Sequence, residues 1–259
     1  MNKINKLFAE NKNKKLLSLY FCAGHPTLNC TGKVIKTLQS RGISMIEVGI
    51  PFSDPMADGQ VIQNAATTAL RNGMTLKLLF SQLKEVKEEV KIPLVLMGYL
   101  NVIMQYGIEN FCKSCIESGV SGVIIPDLPF NDYLKEVKPI ADKYEIRIIM
   151  LITPETSEDR IRFIDEHTDG FIYMVSSAST TGAQKSFDDS KKNYFNRINS
   201  MELHNPRMIG FGISNKQTLD LAMENASGAI IGSKFVSTLE SVDGDAEKAM
   251  DILFEDLRN

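Results

Sequence analysis

The chain has 259 residues, a formal net charge of -3 and 43% hydrophobic residues, which suits one large α/β domain or two small ones. There is no basic excess and no pattern of aromatic residues among Lys and Arg clusters, so we expect no nucleic-acid partner. The basic run at residues 11–15 fits a solvated turn. No apolar stretch approaches the ~20 residues that a membrane span needs, and no apolar leader segment is recognisable, so we expect a cytoplasmic protein.

Eight short apolar runs, rich in β-branched residues, predict eight β-strands. In chain order they cover residues 16–22, 44–48, 94–97, 122–125, 147–152, 170–175, 208–211 and 228–231. The segments between them carry apolar residues at i, i+3 and i+4, which predicts amphipathic helices. This spacing is clearest at residues 75–90, 131–144 and 157–168. Apolar strands that alternate with helices predict a parallel sheet covered on both faces.

The number of strand–helix units and the length of the chain favour a closed barrel. About 250 residues is the usual size of a (β/α)8, or TIM, barrel, and no linker divides the chain. We therefore predict an α/β fold, a single (β/α)8 barrel domain over residues 1–259 with a short N-terminal helix. A doubly wound open sheet is the alternative. It more often has a glycine-rich nucleotide turn after its first strand, and residues 20–27, YFCAGHPT, are not one.

Neither the cysteines nor the histidines predict a metal site. Cys112 and Cys115 form a CxxC within a segment of helical periodicity, and no second CxxC or nearby His accompanies them. We interpret them as part of a buried helix face, with reduced thiols. His25, His167 and His204 lack metal-ligand spacing, and we interpret them as structural or exposed residues.

Polar residues cluster where predicted strands end. Active sites of such barrels lie at the carboxyl ends of the strands and in the loops that follow. Glu47 ends the second strand, and the next loop contains Asp54 and Asp58. Asp127 follows the fourth strand, and Tyr173 lies in the sixth. We therefore expect these side chains to meet at the mouth of the barrel.

Glu47 is the strongest candidate for acid–base chemistry. Because side chains alternate along a strand, Ile46 and Val48 share one face, while Glu47 shares the other with Met45. Glu47 is therefore expected to point into the barrel, where desolvation raises the pKa of a carboxyl toward a range useful in catalysis. Asp58, on a loop, is expected to keep more water and stay ionised, so that the two carboxyls divide acid and base roles. The alternative is a Glu47 that points outward and pairs with a lysine.

The last two strand ends predict a phosphate site. Residues 210–214, GFGIS, and 230–235, IIGSKF, each place glycine at a strand end and serine at the start of the next helix. Glycine lets backbone N–H groups approach an anion, and a helix N-terminus adds unpaired donors and partial positive charge. Ser233 is expected to cap its helix or to bind the phosphate directly. The alternative is a pair of ordinary tight turns.

The stretch IEVGIPFSDPMADGQVIQ, residues 46–63, resembles the signature of the tryptophan synthase alpha chain family. Further stretches are similar to that family's strand ends, in the same order: YFCAGHP, GYLN, IPDLP, FIYMVSSASTTGA, GFGIS and AIIGSKFV. The resemblance covers essentially the whole chain. It implies a lyase of tryptophan biosynthesis that splits indole-3-glycerol phosphate, in a retro-aldol reaction, into indole and glyceraldehyde 3-phosphate.

The resemblance also implies roles for individual residues. Glu47 exchanges the protons at indole C3 and at the side-chain hydroxyl that becomes the aldehyde, and Asp58 accepts a hydrogen bond from the indole N–H. Asp54 is expected to rigidify its loop. The other implied site residues are Tyr173 beside the glutamate, Tyr20, Ile62 and Phe211 in the indole pocket, Gly182, Gly212, Gly232 and Ser233 at the phosphate, and Thr181 in a loop that closes over the site.

A partner and its cofactor are implied in the same way. The family's partner is the beta chain, which receives indole and carries pyridoxal phosphate, in an alpha2beta2 heterotetramer. The loops around Pro55 and Pro129 match the docking surface, and this chain itself is expected to need no cofactor. Loop six departs from the family at Ser177, Ser179 and Thr180, and loop two has Gln60 where proline is usual, so coupling to the partner is expected to differ.

Three rival functions remain open on the sequence. One is a stand-alone lyase that releases indole without a partner. Another is a different phosphate-sugar barrel, such as an isomerase, although the strand-two glutamate together with the loop SDPMADG, residues 53–59, disfavours it. The third is a non-catalytic subunit that only activates the beta chain, which would have no need for a buried glutamate.

Overall fold

Eight parallel strands close into a barrel in the order β1 to β8, with β1 hydrogen-bonded to β8. The computed structural model describes residues 1–175, 189–210 and 212–258, except for the side chains of residues 189 and 190. The strands are β1 Leu16–Cys22, β2 Met45–Gly49, β3 Leu94–Met97, β4 Val120–Ile124, β5 Arg147–Ile152, β6 Ile172–Val175, β7 Arg207–Gly210 and β8 Gly228–Ile231. The (β/α)8 fold predicted from the sequence is confirmed.

Helices follow the strands and cover the outside of the barrel, except for α1, which precedes β1. They are α1 Lys3–Glu10, α2 Thr31–Ser40, α3 Gln60–Arg71, α4 Leu76–Val86, α5 Leu100–Tyr106, α6 Ile108–Glu117, α7 Phe130–Asp132, α8 Lys138–Lys143, α9 Glu158–His167, α10 Asp189–Asn199, α11 Lys216–Asn225, α12 Ser233–Ser241 and α13 Ala246–Asp256. Within the described residues, no helix is both long and apolar enough to cross a membrane.

The predicted strand positions agree with the structure to within two residues. Four runs, 16–22, 94–97, 147–152 and 228–231, coincide with β1, β3, β5 and β8. The largest shifts are at β4, which begins at Val120, and at β6, which begins at Ile172. Both shifts occur beside glycine, whose missing side chain weakens the apolar pattern by which a strand is recognised.

One predicted helix is divided in the structure. Residues 131–144 form the short α7, a π-helical turn at Tyr133–Val137 and then α8. Pro139 has no N–H to donate to the carbonyl four residues before it, and its ring crowds that carbonyl. The wider π turn directly before the proline accommodates this break in the hydrogen-bond ladder.

The predicted N-terminal helix, α1, closes the amino end of the barrel. Asn2 caps it by accepting a 2.8 Å hydrogen bond from the Ile4 N–H, while its amide donates to the carbonyls of Ser121 and Glu145 at 2.7 Å. Ile4 is fully buried and packs where a side chain at Gly122 would otherwise lie. The amino end is therefore filled, so open space for chemistry lies at the opposite end.

The CxxC segment is a buried helix face, as predicted. Cys112 and Cys115 both lie in α6 and are buried, with free thiols. Burial raises the pKa of both thiols, which opposes formation of the reactive thiolate. Among the residues that the structure describes, no group of three or more His, Cys, Asp or Glu is arranged to hold a metal ion.

Candidate active site

A cavity opens at the carboxyl ends of the strands. The residues that line it are Tyr20, Glu47, Asp58, Ile62, Met97, Tyr173, Gly212, Ile213, Ser214, Ile230, Gly232, Ser233 and Lys234. The structure therefore brings together, around one cavity, predicted site residues from three strands, from the loops or turns after three strands and from the helices α3 and α12. Thr181, Gly182 and Phe211, together with Ser177, Ser179 and Thr180 of loop six, lie outside the described residues.

Glu47 points into the barrel, as the alternation of β2 predicted. It is 1% exposed, and neither carboxylate oxygen has a hydrogen-bond partner among the described residues. Burial alone raises the pKa of the Glu47 carboxyl to about 8. At neutral pH the group therefore holds a proton that it can give up, and its conjugate base can take one back, as a general acid–base catalyst requires.

Asp58 differs from its prediction because it is buried rather than hydrated. It is 5% exposed, and burial raises its pKa to about 6. Tyr99 donates a 2.9 Å hydrogen bond to Oδ2 of Asp58 and thereby holds that pKa down. Asp58 thus stays ionised at neutral pH because the Tyr99 hydroxyl, rather than water, stabilises its negative charge. Its other oxygen, Oδ1, has no hydrogen-bond partner in the described part of the chain.

Tyr99 is a functional residue that the sequence reasoning missed. It lies directly after β3, in the stretch GYLN, and its hydroxyl also accepts a 3.0 Å hydrogen bond from the N–H of Ala57. Its ring packs against Phe52, with centroids 5.2 Å apart. The position of a tyrosine at a strand end was the available signal. Tyr99 and Asp58 lie far apart in the sequence, so nothing in it indicated that their side chains form a hydrogen bond.

Two tyrosines enter the cavity beside the carboxyls. Tyr20 pairs in register with Glu47 across β1 and β2, and Tyr173 pairs with Met208 across β6 and β7. Each ring extends toward the mouth over a glycine of the next strand. A Cβ at Gly49 would collide with the hydroxyl of Tyr20, and a Cβ at Gly210 with that of Tyr173. Glycine at these two places makes room for the two phenols.

The turn after β8 presents an uncapped helix N-terminus to the cavity. The N-cap of α12 is Gly232, which has no side chain to bond the first backbone N–H groups, so these donors remain for an anion. Ser233 is the first residue of the helix, not its cap, which corrects one of the two predicted roles. The ammonium of Lys234 pairs with Asp256 at 2.5 Å, so the helix terminus supplies the local positive potential.

The turn after β7 differs from its prediction as well. Gly212 has φ +80°, a left-handed conformation that glycine adopts without strain, and it lines the cavity. The cap of α11 is Asn215 rather than the serine before it. Asn215 accepts a 2.9 Å bond from the Thr218 N–H, within a reciprocal capping box. This helix terminus is therefore satisfied internally, and α12 provides the better anion site.

Side chains outside the cavity hold its rim together. Asp127, which follows β4, accepts a 2.9 Å hydrogen bond from the Leu100 N–H at the start of α5. Asp54 accepts a 2.5 Å bond from the Ser53 hydroxyl, which fits its predicted role within the loop. His25 is buried, with Nε2 at 3.8 Å from a Glu240 oxygen, and does not line the cavity. Asp127 and His25 are thus structural, as the histidine was interpreted to be.

Comparisons with known proteins identify the family of the chain. A model of the family described as tryptophan synthase alpha chain matches residues 7–258. The chain is 67% identical to the tryptophan synthase alpha chain of Phocaeicola vulgatus, covering 100% of both chains. It is 66% identical to that of Bacteroides thetaiotaomicron, covering 96% of this chain and 97% of the relative.

Solved structures show the same likeness. The chain is similar to the tryptophan synthase alpha chain of Legionella pneumophila, with a TM-score of 0.88 and 31% identity, covering 100% of this chain and 96% of that one. It is also similar to a chain in the tryptophan synthase complex of Pyrococcus furiosus, with a TM-score of 0.84 and 32% identity, covering 94% of this chain and 98% of that one.

Proposed function

Because the chain belongs to the tryptophan synthase alpha chain family, a family of lyases, we propose that it cleaves indole-3-glycerol phosphate into indole and glyceraldehyde 3-phosphate. The observation that carries the proposal is Glu47, a buried carboxyl without a partner among the described residues, which faces a cavity between Asp58 and the N-terminus of α12. A site of this kind suits a substrate with an aromatic N–H at one end and a phosphate at the other.

Glu47 performs both proton transfers in this proposal. With a pKa of about 8 it is protonated at neutral pH and can donate a proton to indole C3. The resulting carboxylate then takes the proton of the chain hydroxyl next to the ring. That oxygen forms the aldehyde carbonyl, the carbon–carbon bond breaks, and its electron pair returns to the indole ring. One residue thus acts first as acid and then as base.

Asp58 stabilises the charge that develops on the ring. Protonation at C3 makes the indole nitrogen electron-poor, and a carboxylate that accepts its N–H hydrogen bond is most favourable at that moment. The hydrogen bond from Tyr99 occupies Oδ2 and leaves Oδ1 to receive the indole N–H. Tyr173 and Ile62 line the cavity beside the carboxyls and supply apolar surface for the flat ring.

The phosphate lies at the turns after β7 and β8 in this proposal. The first N–H groups of α12 and the partial positive charge of the helix terminus bind its oxygens. Gly212, Gly232 and Ser233 line that end of the cavity. Gly182 and Thr181, proposed at the phosphate and in the closing loop, belong to the same assignment.

We also propose a beta chain as partner, in an alpha2beta2 heterotetramer. One similar structure is that of a tryptophan synthase complex, and the loop after β2 exposes an apolar side chain, Met56, which is 86% exposed. Pro55 beside it and the exposed Pro129 in the loop after β4 frame the proposed contact. Pyridoxal phosphate belongs to the partner in this proposal, and the chain described here uses none of its own.

Indole release from indole-3-glycerol phosphate tests the proposal, with wild type and Glu47→Gln compared, each with and without a beta chain. We expect slow release by wild type, acceleration by the partner, and no release by the variant. Fast release that ignores the partner would identify a stand-alone lyase. If wild type released no indole but still activated the beta chain, the chain would be a non-catalytic activator.

A further inference from the structure

Tyr20 carries a hydroxyl for which the proposed function has no use. An apolar indole pocket needs only its ring, yet the hydroxyl lies inside the barrel, where a Cβ of Gly49 would otherwise be. Gly49 shares a strand face with Glu47, two residues earlier. The hydroxyl therefore lies further toward the mouth of the barrel than Glu47 does.

The hydroxyl and the carboxyl are both left without a partner. In the part of the chain that the structure describes, the two Glu47 oxygens are buried without a hydrogen-bond partner. The Tyr20 hydroxyl, which faces the cavity, makes no hydrogen bond to another described residue. Both residues line the same cavity, and their strands place them side by side. A single group that accepts from a phenol and donates to a carboxylate would satisfy both, and a substrate hydroxyl has both capacities.

The ring of Tyr20 also links the two ends of the cavity. Its Cβ and Cδ1 lie 3.7 and 3.8 Å from the position of a Cβ on Gly232, at the start of α12. Its far end reaches Gly49 beside Glu47. A three-carbon chain that joins a phosphate at α12 to a ring near Glu47 must therefore pass along Tyr20.

We propose that the Tyr20 hydroxyl donates a hydrogen bond to the substrate hydroxyl that Glu47 deprotonates, an inference that rests on the proposed function. In the cleavage step the proton moves to Glu47 and the oxygen's electrons form the C=O bond. The carbon–carbon bond breaks, and its electron pair moves into the protonated indole ring and neutralises the positive charge there. The oxygen carries excess negative charge as its proton leaves, and a fixed donor stabilises it then.

The state of the phenol is consistent with this role. Burial raises the pKa of Tyr20 well above its usual value, and the nearby acidic groups raise it further. The phenol therefore keeps its proton throughout the working range of pH and acts as a donor, never as a competing base. Because its hydroxyl touches the reacting oxygen, Tyr20 is a catalytic residue rather than pocket lining.

Steady-state kinetics of Tyr20→Phe test the inference, since this change removes the hydroxyl and keeps the ring. We expect kcat to fall about a hundred- to a thousandfold, the range for a single donor to a developing oxyanion, with little change in KM. Tyr106→Phe is the matched control, because Tyr106 lies on α5 outside the cavity and its hydroxyl contacts Ser114. We expect that control to keep the wild-type kcat.

Binding of indole-3-propanol phosphate tests whether the Tyr20 hydroxyl contacts a chain hydroxyl of the substrate or instead its ring or phosphate. This analogue has the ring and the phosphate but neither chain hydroxyl, so we expect wild type and Tyr20→Phe to bind it with the same Kd. A weaker Kd in the variant would place the contact at the ring or phosphate and overturn the inference. An unchanged kcat in the variant would overturn it too. If wild type itself cleaved nothing, the proposed function would fail and the inference with it.

Discussion

The phenol of Tyr99 donates a 2.9 Å hydrogen bond to Oδ2 of Asp58, so the loop after β3 holds a carboxyl that the loop after β2 delivers. This bond favours the ionised carboxyl and opposes the burial that raises its pKa. The ionisation of Asp58 therefore depends on a residue 41 positions away in sequence.

Tyr99→Phe should therefore raise the pKa of Asp58 above its wild-type value of about 6. If the proposed reaction needs an ionised Asp58 and a protonated Glu47, kcat/KM of wild type rises through about pH 6 and falls through about pH 8. In Tyr99→Phe the acidic limb of this profile should shift to higher pH, while the basic limb should stay unchanged. A pH profile measures both limbs, and an unchanged acidic limb would contradict the role given to Tyr99.

The buried Glu47 should also make stability depend on pH. Its pKa is raised from 4.5 to about 8 on folding, so the folded chain keeps a proton that the unfolded chain loses. Its contribution is fully present below pH 4.5 and is lost as the pH rises through about 8. Relative to Glu47→Gln, which does not titrate, wild type should lose on the order of 3 kcal/mol between pH 5 and pH 9.

Urea unfolding of wild type and Glu47→Gln at both pH values measures that difference. Asp58 contributes with the same sign between pH 3.8 and about 6, and it is present in both proteins, so it cancels. A stability difference that did not vary with pH would show that Glu47 is not desolvated in solution.

Gly49→Ala should damage the site through Tyr20. The new Cβ would collide with the hydroxyl of that tyrosine, and overpacking of this kind costs about 1–3 kcal/mol. Indole release should fall as the ring is displaced. Combining the change with Tyr20→Leu, a shorter side chain, should recover part of the lost stability, and a double-mutant cycle measures the coupling. Purely additive effects would refute the contact.

Gln60→Pro should stabilise the chain. Gln60 is the first residue of α3, a position that suits proline, and Gly59 before it is extended, with ψ 168°, as a residue before proline should be. We expect a gain of about 0.4–1 kcal/mol from the restricted unfolded chain. Gln60→Ala is the control, because it also removes the side-chain bond to Asn64. Chemical denaturation of both variants would show whether proline adds anything.

Met56→Ser should weaken binding of the proposed beta chain and leave cleavage by the free chain unchanged. Met56 is 86% exposed on the loop after β2, so it contributes little to the folded monomer. Loss of a buried apolar contact in a complex costs about 1–3 kcal/mol. Ile252→Ser on α13, which also exposes an apolar side chain, is the matched control. Equal Kd values for both variants, measured calorimetrically, would place the interface elsewhere.

The sequence could predict that the Glu47 side chain points into the barrel, because side chains alternate along any strand and the neighbours of Glu47 are apolar. It could not predict the burial of Asp58. Its carboxyl is bonded to Tyr99 of the loop after β3, and no local sequence pattern reports a contact between two loops. The cap of α11 was misplaced by one residue for a related reason, since Ser and Asn are both good caps and only the backbone decides between them.

The hydrogen bonds at the rim link neighbouring loops at the mouth of this barrel. The carboxylate of Asp127 accepts a hydrogen bond from the N–H of Leu100, and the hydroxyl of the preceding residue, Tyr99, bonds to both Ala57 and Asp58. The loops after three consecutive strands, β2, β3 and β4, are thus joined to one another by hydrogen bonds. We therefore expect a displacement of the loop that contains Pro129 to be transmitted to the Asp58 carboxyl through two hydrogen bonds and one peptide unit.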